Sequence, residues 1–242
     1  MVNLKNMEPT IIFQDSDLLV IEKPAGWITN EADTTRNVPV LQKWLKENLQ
    51  YEISKNNELR SGIVHRLDKD TSGILLVAKN EEFMKFLQAQ FKDRKVEKSY
   101  TALLHGKVEP NSGNIDAPVG RLPWNRERFG VLSGGRTAQS GYEVQDYYQK
   151  DKDLFSLVRF FPKTGRTHQL RIHAKHIGHP IVSDNFYAGR KTARNDKKWC
   201  PRLFLHAGNI AFNKPNGERV EFESKLPEDL MLVLNDLQKV LS

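Results

Sequence analysis

An aspartate lies close to an arginine in a segment rich in turn-forming residues. Residues 62–73 read GIVHRLDKDTSG, so Asp68 comes two residues after Arg66, and the apolar run ILLVA follows at once. Loops beside a buried strand often carry reactive side chains. A carboxylate there could act as a nucleophile or a general base, or it could form only a surface salt bridge with Arg66 or Lys69.

A second segment offers a cation that could hold such a carboxylate ionised. Residues 164–173 read TGRTHQLRIH. Gly165 permits a tight turn, Thr167 is predicted to cap a helix, and Arg171 falls one turn inside it. A buried carboxylate stays charged when a cation lies beside it. The alternative is an amphipathic helix whose arginines are solvated.

The elements that must position these residues follow from the hydrophobic pattern. An opening hairpin is predicted from residues 11–13 and 18–21, and Asn80 is predicted to cap a helix that begins with Glu81 and Glu82. Further strands are predicted at 99–104, 138–147, 155–161, 203–212 and 220–222, and further helices at 38–49, 167–176 and from 227 to the C-terminus. Strands and helices follow one another without a repeating βαβ pattern, which indicates an α+β fold.

The domain organisation is expected to be simple. The sequence contains no repeat of solenoid length and no clear Gly/Ser linker. We therefore expect one catalytic domain over residues 1–242, with a motif-bearing core at about 11–223 and a C-terminal helix at about 227–241. The basic regions around Trp124 and Arg190–Lys198 are expected to be surface loops.

Charge and composition favour a polyanionic partner in the cytoplasm. The chain of 242 residues has a formal net charge of +7. Between residues 159 and 202 the only acids are Asp184 and Asp196, and aromatic residues such as Tyr187 and Trp199 lie among the lysines and arginines. This mixture is typical of RNA-binding surfaces, although a solvated positive face is the alternative. No signal peptide and no apolar run of membrane-spanning length is found, and the single cysteine excludes an internal disulfide.

A metal site is not expected. The sequence contains a group of four histidines, namely His168, His173, His176 and His179. Two histidines at i and i+4 would share one helix face, but the spacings of these four do not bring them together in that way. The sequence has no H-E-x-x-H, no Walker lysine motif and no G-x-G-x-x-G. We expect catalysis without metal or cofactor.

Several segments resemble the RluA-type RNA pseudouridine synthases. Residues 65–73 match the H-R-L-D-x-x-T-S-G signature, and residues 164–173 match T-G-R-T-H-Q-L-R-x-H. Shorter matches occur at 23–26 (K-P-x-G), 98–102 (K-x-Y-x-A), 178–187 (G-H-P-I-x-x-D-x-x-Y) and 202–207 (R-L-x-L-H-A). The resemblance implies a single α+β domain around a mixed, largely antiparallel central sheet. Many relatives carry an N-terminal RNA-binding domain, for which Lys23 comes too early, so none is expected here.

The resemblance also implies roles for individual residues. The reaction would be isomerisation of selected uridines to pseudouridine in structured RNA, either large-subunit rRNA or tRNA, by a protein expected to be a monomer. Asp68 would be the essential catalytic residue, Arg171 its cationic partner, and Tyr100 a stacking residue and candidate for the proton step at carbon 5. The expected RNA-binding residues are Arg66, which stabilises the flipped-out uridine, Leu170, which walls the base pocket, and Arg166, His168 and Lys98. The K-P-x-G element would buttress the active-site loop.

Two alternatives remain at this point. A protein of the same fold could bind RNA or assist ribosome assembly without catalysis. A hydrolase could use Asp68 and Asp70 as a carboxylate pair, but residues at i and i+2 need not converge. The intact set of Asp68, Tyr100 and Arg171 favours the synthase.

Overall fold

A computed structural model describes residues 7–32, 35, 38–123 and 125–240, without the side chains of Arg126 and Glu127. The chain divides into two compact units. Unit 1 contains Met1–Glu97 and Ala207–Ser224, and unit 2 contains Lys98–His206 and Lys225–Ser242. The expectation of one catalytic domain over residues 1–242 stays a prediction.

Twelve strands and five α-helices occur in the described residues. The strands are β1 (Thr10–Gln14), β2 (Leu18–Lys23), β3 (Ser72–Ala78), β4 (Glu97–His105), β5 (Ser112–Asp116), β6 (Val119–Leu122), β7 (Asn125–Val131), β8 (Gln139–Lys150), β9 (Asp153–Pro162), β10 (Leu205–Asn213), β11 (Arg219–Glu223) and β12 (Gln238–Val240). The helices are α1 (Leu41–Asn48), α2 (Glu81–Lys92), α3 (Gln169–His176), α4 (Arg190–Asp196) and α5 (Glu228–Asn235). A 3₁₀ turn covers Arg60–Gly62.

Unit 1 is built around β2 and β3, two apolar strands in which every residue except Glu22 is buried. The predicted opening hairpin is β1 and β2, and β2 pairs antiparallel with β3, placing Lys23 opposite Gly73. All seven residues of β3 are buried, as expected for a continuous apolar run. β10 lies beside β3 and pairs antiparallel with β11.

The predicted cap of α2 is confirmed. The side chain of Asn80 accepts a hydrogen bond from the backbone N–H of Phe83 at 2.8 Å, and Glu81 and Glu82 occupy the first turn. Phe83 and Leu87 on the inner face are buried in the unit 1 core. The helix predicted at 38–49 is also found, as the shorter α1.

Unit 2 contains the remaining sheet strands. β9 pairs antiparallel with both β4 and β8, β5 and β12 both pair with β8, and β6 and β7 form a separate two-stranded hairpin. Every strand pair with a described register is antiparallel. The predicted α+β fold with a largely antiparallel sheet is therefore confirmed.

Three predictions about local structure are wrong. The C-terminal helix ends at Asn235, and Gln238–Val240 instead forms β12, because its backbone completes hydrogen bonds on β8. Arg190–Asp196 is the helix α4 instead of a loop. The basic segment around Trp124 belongs to the β6–β7 hairpin, although Trp124 itself lies outside the described residues.

Candidate active site

The loop that carries Asp68 is fixed through its backbone. The Thr29 hydroxyl donates to the Leu67 carbonyl at 2.9 Å and accepts the Leu67 N–H at 3.3 Å, and both residues are buried. The Thr71 N–H donates to the Asp68 carbonyl at 3.2 Å. Asp68 itself is only partly buried. The loop is thus held by hydrogen bonds on both sides of a carboxylate that keeps some access to solvent.

A buried ammonium supports the other side of this loop. Lys23 is completely buried, and its Nζ donates to the backbone carbonyls of Pro24 at 2.9 Å, Trp27 at 2.8 Å and Lys69 at 3.2 Å. The Lys69 carbonyl also accepts the Gly26 N–H at 2.8 Å. Three carbonyl partners replace the water that a buried ammonium loses. The buttress expected from the K-P-x-G element is present as these contacts.

Gly73 is required where the loop enters β3. Its φ is +122°, and a Cβ added there would lie 2.2 Å from the Ala207 carbonyl oxygen on β10. Any side chain would push these two strands apart. The glycine therefore keeps the loop at a fixed position on the sheet of unit 1.

The two residues before Leu67 have different roles. His65 Nε2 accepts the backbone N–H of Leu76 at 2.9 Å, and its ring stacks on Phe91 with centroids 4.8 Å apart. These contacts assign His65 a structural role in the loop. Arg66 is exposed, which leaves its guanidinium accessible to an incoming molecule.

In unit 2, the segment before α3 is held by the Gln169 side chain. Gln169 Oε1 accepts bonds from the Thr164 hydroxyl at 2.7 Å and the Arg166 N–H at 3.0 Å, while Nε2 donates to the Gln139 carbonyl and the Ser140 hydroxyl, both at 3.0 Å. The predicted Thr167 cap is wrong. The N-cap residue is His168, at a φ of 56° with no side-chain cap bond.

Arg171 is buried and held by a carboxylate. Its Nε donates to Asp184 Oδ2 at 2.7 Å and its Nη2 to Oδ1 at 2.8 Å. Asp184 Oδ1 also accepts the N–H groups of Phe186 at 2.8 Å and Tyr187 at 3.1 Å, and the guanidinium lies 5.2 Å from each ring centroid. A planar bidentate pair fixes the orientation of an arginine. The pairing of Arg171 with Asp68 stays a prediction, since the two residues belong to different units.

His168 and Arg166 lie in the same segment. His168 Nδ1 is 2.9 Å from the Tyr187 hydroxyl, and its ring contacts Phe129 edge-on at 6.1 Å between centroids. Arg166 Nε donates to the Thr137 carbonyl at 3.0 Å. Near them Arg128 lies 5.9 Å from the ring centroid of Phe186. Basic and aromatic side chains therefore lie side by side here.

The buried histidine of α3 is structural. His173 Nε2 donates to the Ala117 carbonyl at 3.0 Å, so Nδ1 accepts from the Ser140 hydroxyl at 3.0 Å. Burial lowers the pKa of His173. Within the described ranges, no group of three or more His, Cys, Asp or Glu side chains could hold a metal ion.

Tyr100 and Lys98 are two residues apart on β4, so they share a face of the strand. Tyr100 is paired with Phe160 on β9 and packs against the unit 2 core, which contains Leu170. Lys98 is partly buried, and this burial lowers its pKa to about 8. A lysine with this pKa can change its charge near neutral pH.

Comparisons with known proteins agree with these motifs. Residues 17–176 match the family model described as RNA pseudouridylate synthase. This chain belongs to the RNA pseudouridylate synthase family. The predicted enzyme class, an isomerase that converts uridine in RNA to pseudouridine, is thereby confirmed.

The synthase has close relatives in sequence and structure. It is 38% identical to an uncharacterized RNA pseudouridine synthase of Bacillus subtilis (96% of this chain, 74% of the relative). It is 36% identical to ribosomal large subunit pseudouridine synthase D of Pseudomonas aeruginosa (97% and 73%). The solved structure of human RNA pseudouridylate synthase domain containing 1 has a TM-score of 0.73 at 27% identity, covering 96% of this chain and 89% of that chain.

The synthase contains site residues that sequence reasoning missed. Asp184 is the aspartate of the G-H-P-I-x-x-D-x-x-Y match, and that motif was the available signal for its contact with Arg171. Thr29 gave no signal at all, because its partners are backbone atoms 38 residues away.

No helix among the described residues is long and apolar enough to cross a membrane.

Proposed function

We propose that Asp68 is the essential catalytic carboxylate of this synthase, acting on uridines in structured RNA. The observation that carries the proposal is the loop around Asp68, which is fixed by Thr29 on one side and Lys23 on the other. A reacting group held in place before substrate binds avoids the entropy cost of ordering it. The family match over residues 17–176 supports the reaction type.

The chemistry needs an ionised carboxylate and a proton acceptor. Isomerisation breaks the C1′–N1 bond of uridine, forms a C1′–C5 bond, releases the C5 proton to water and leaves a proton on N1. Asp68 would add to the uracil or the sugar, or remove a proton from the ribose. Tyr100 would stack on the uracil and assist loss of the C5 proton.

Arg171 is proposed to keep Asp68 ionised during this reaction. Its support is the resemblance, together with the buried and oriented guanidinium on Asp184. Leu170, also buried, would wall the base pocket. Arg66 would stabilise the flipped-out state of the uridine, whose extrusion costs a few kcal/mol of stacking.

Binding of the rest of the RNA is proposed for Arg166, His168 and Lys98. Neutralised phosphates make such binding sensitive to salt. The Pseudomonas relative suggests large-subunit rRNA as the first RNA to test and tRNA as the second. We place the reaction in the cytoplasm, where both RNAs are made in bacteria, with a monomeric enzyme that needs no cofactor.

The deciding experiment measures tritium released from RNA labelled at uracil carbon 5. Large-subunit rRNA and tRNA are incubated separately with the wild type, Asp68→Asn and Asp70→Asn. Asp70 is the matched control, because it is a partly buried carboxylate in the same loop. We expect release by the wild type and Asp70→Asn, and none by Asp68→Asn.

Other outcomes would refute the proposal. Full activity of Asp68→Asn would remove Asp68 from the chemistry. RNA binding without release from either RNA by the wild type would favour the catalytically silent RNA-binding protein.

A further inference from the structure

Every exposed charged residue of helix α4 is a cation. Its exposed charged residues, with the two that follow it, are Arg190, Lys191, Arg194, Lys197 and Lys198. None of these five forms a salt bridge with any residue that the structure describes. We call them the α4 surface. In contrast, exposed lysines of α1 and α2, such as Lys43 and Lys85, pair with glutamates one turn away.

The only acid of this helix faces inward. Asp196 is 4% exposed, and its Oδ2 accepts the Ser183 N–H at 2.9 Å and lies 3.0 Å from His105 Nε2. Ala193 is buried on the same side. These contacts fix the rotation of α4 about its axis. The cations therefore point away from the unit 2 core as a defined face.

The first turn of α4 carries charges that oppose helix stability. Arg190 and Lys191 occupy the first turn, which contains no acid, although the N-terminal end of a helix carries partial positive charge. The first turns of α2 and α5 instead contain acidic pairs, such as Glu81 and Glu82. Cations that destabilise the free protein are explained if a bound polyanion neutralises them.

The surface continues onto a neighbouring aromatic residue. Trp199 follows Lys198 directly and is partly buried, with its ring edge-on to Phe155 at 5.2 Å between centroids. Lys150 on β8 places its ammonium 5.7 Å from the Trp199 ring centroid. A sixth cation thus extends the α4 surface on a rigid support.

We propose that the α4 surface binds the phosphate backbone of RNA that flanks the modified uridine. This inference rests on the proposed function, since it takes the partner to be the RNA substrate. An RNA chain presents regularly spaced phosphates to a row of exposed cations, and such contacts position the RNA without reading its sequence. The α4 surface would determine affinity and the choice of long over short substrates, and would not take part in bond making.

The experiment compares two double variants that each remove two positive charges. Arg194→Gln with Lys198→Gln alters the α4 surface, and Lys55→Gln with Lys92→Gln removes two exposed lysines of unit 1. Glutamine has a helix propensity close to those of arginine and lysine, so folding is preserved. Binding of fluorescein-labelled large-subunit rRNA is measured by anisotropy from 50 to 300 mM KCl, and tritium release gives kcat and KM.

For the α4 variant we expect a roughly tenfold weaker Kd at low salt and a salt slope smaller by about 1.5–2, from two lost phosphate contacts. KM should rise with kcat unchanged, while the Lys55/Lys92 control stays close to the wild type.

Equal losses in both variants would overturn the inference, because net charge alone would explain them. Unchanged binding by the α4 variant, or a fall in kcat alone, would also overturn it. If the wild type binds RNA but releases no tritium, the proposed function fails, while the comparison of the two Kd values still tests the α4 surface.

Discussion

The two units hold their candidate catalytic residues by opposite means. In unit 1 the Asp68 loop is held by a cation, Lys23, whose ammonium binds backbone carbonyls. In unit 2 Arg171 is held by an anion, Asp184, whose carboxylate binds the guanidinium and two backbone N–H groups. Lys23 therefore fixes the backbone of the Asp68 loop, whereas Asp184 fixes the side chain of Arg171 directly. Loss of each support should have a different effect.

The largest effect is expected from Asp184→Asn. It removes the carboxylate that holds the buried Arg171 guanidinium, and breaking a buried ion pair typically costs about 3–5 kcal/mol of stability. The free energy of unfolding should fall by that amount in urea titrations, and kcat should fall roughly 100-fold because Arg171 loses its orientation.

A second variant separates stability from catalysis in unit 2. Arg171→Met with Asp184→Asn removes both charges, and the amide oxygen of the new side chain still accepts the N–H groups of Phe186 and Tyr187. This double variant should recover most of the unfolding free energy, because no uncompensated charge stays buried. Activity should stay lost. An active double variant would show that neither residue serves the reaction.

A smaller effect is expected from Lys23→Met. The Pro24 and Trp27 carbonyls lose the hydrogen bond from the Lys23 ammonium, whereas the Lys69 carbonyl keeps the bond from the Gly26 N–H. Trp27 is only partly buried, so the cost lies in the lower part of the usual range, at about 1–2 kcal/mol for each carbonyl. The unfolding free energy should therefore fall by roughly 2–4 kcal/mol. Lys69→Met is the matched control, because its exposed side chain is separate from the carbonyl that accepts these bonds. A stability loss in Lys69→Met of the same size would contradict the role given to Lys23.

The smallest effect is the pH dependence due to Lys98. Burial lowers its pKa from 10.5 to about 8, so between these pH values the unfolded chain binds more protons than the folded protein. The contribution of Lys98 to the free energy of unfolding therefore rises as pH increases from about 8 to 10.5. Between pH 7.5 and 10, the free energy of unfolding measured in urea should increase more for the wild type than for Lys98→Met. Lys92→Met serves as the control, because Lys92 is exposed. If the free energy of unfolding has the same pH dependence in all three proteins, the prediction is wrong.

Much of the fold could be predicted where local sequence decides the structure. The apolar runs of β2 and β3 and the Asn80 cap depend on neighbours in sequence, and they were found as expected. β12 could not be predicted, because three residues become a strand only through pairing with the edge of β8. Helix α4 could not be predicted either, because its sequence has no apolar periodicity. One of its inward-facing residues is the charged Asp196, which contacts His105 and Ser183.

The candidate site was predictable to a similar degree. The two long motifs located Asp68 and Arg171, but the partners that hold them are distant in sequence. Thr167 was a reasonable cap from its type, yet the Gln169 side chain takes the Arg166 N–H and His168 adopts a left-handed conformation at the helix start. Competition of this kind among polar side chains is decided by tertiary packing.

The backbone-mediated support of the Asp68 loop gives this enzyme a convenient attachment point. The structure uses the carbonyl of Lys69, while its side chain is exposed. A cysteine or a photoreactive amino acid at position 69 should therefore leave the loop in place. A crosslinker there would sit one residue from Asp68 and could capture the nucleotides that approach it, so that sequencing of the captured RNA would reveal the natural target.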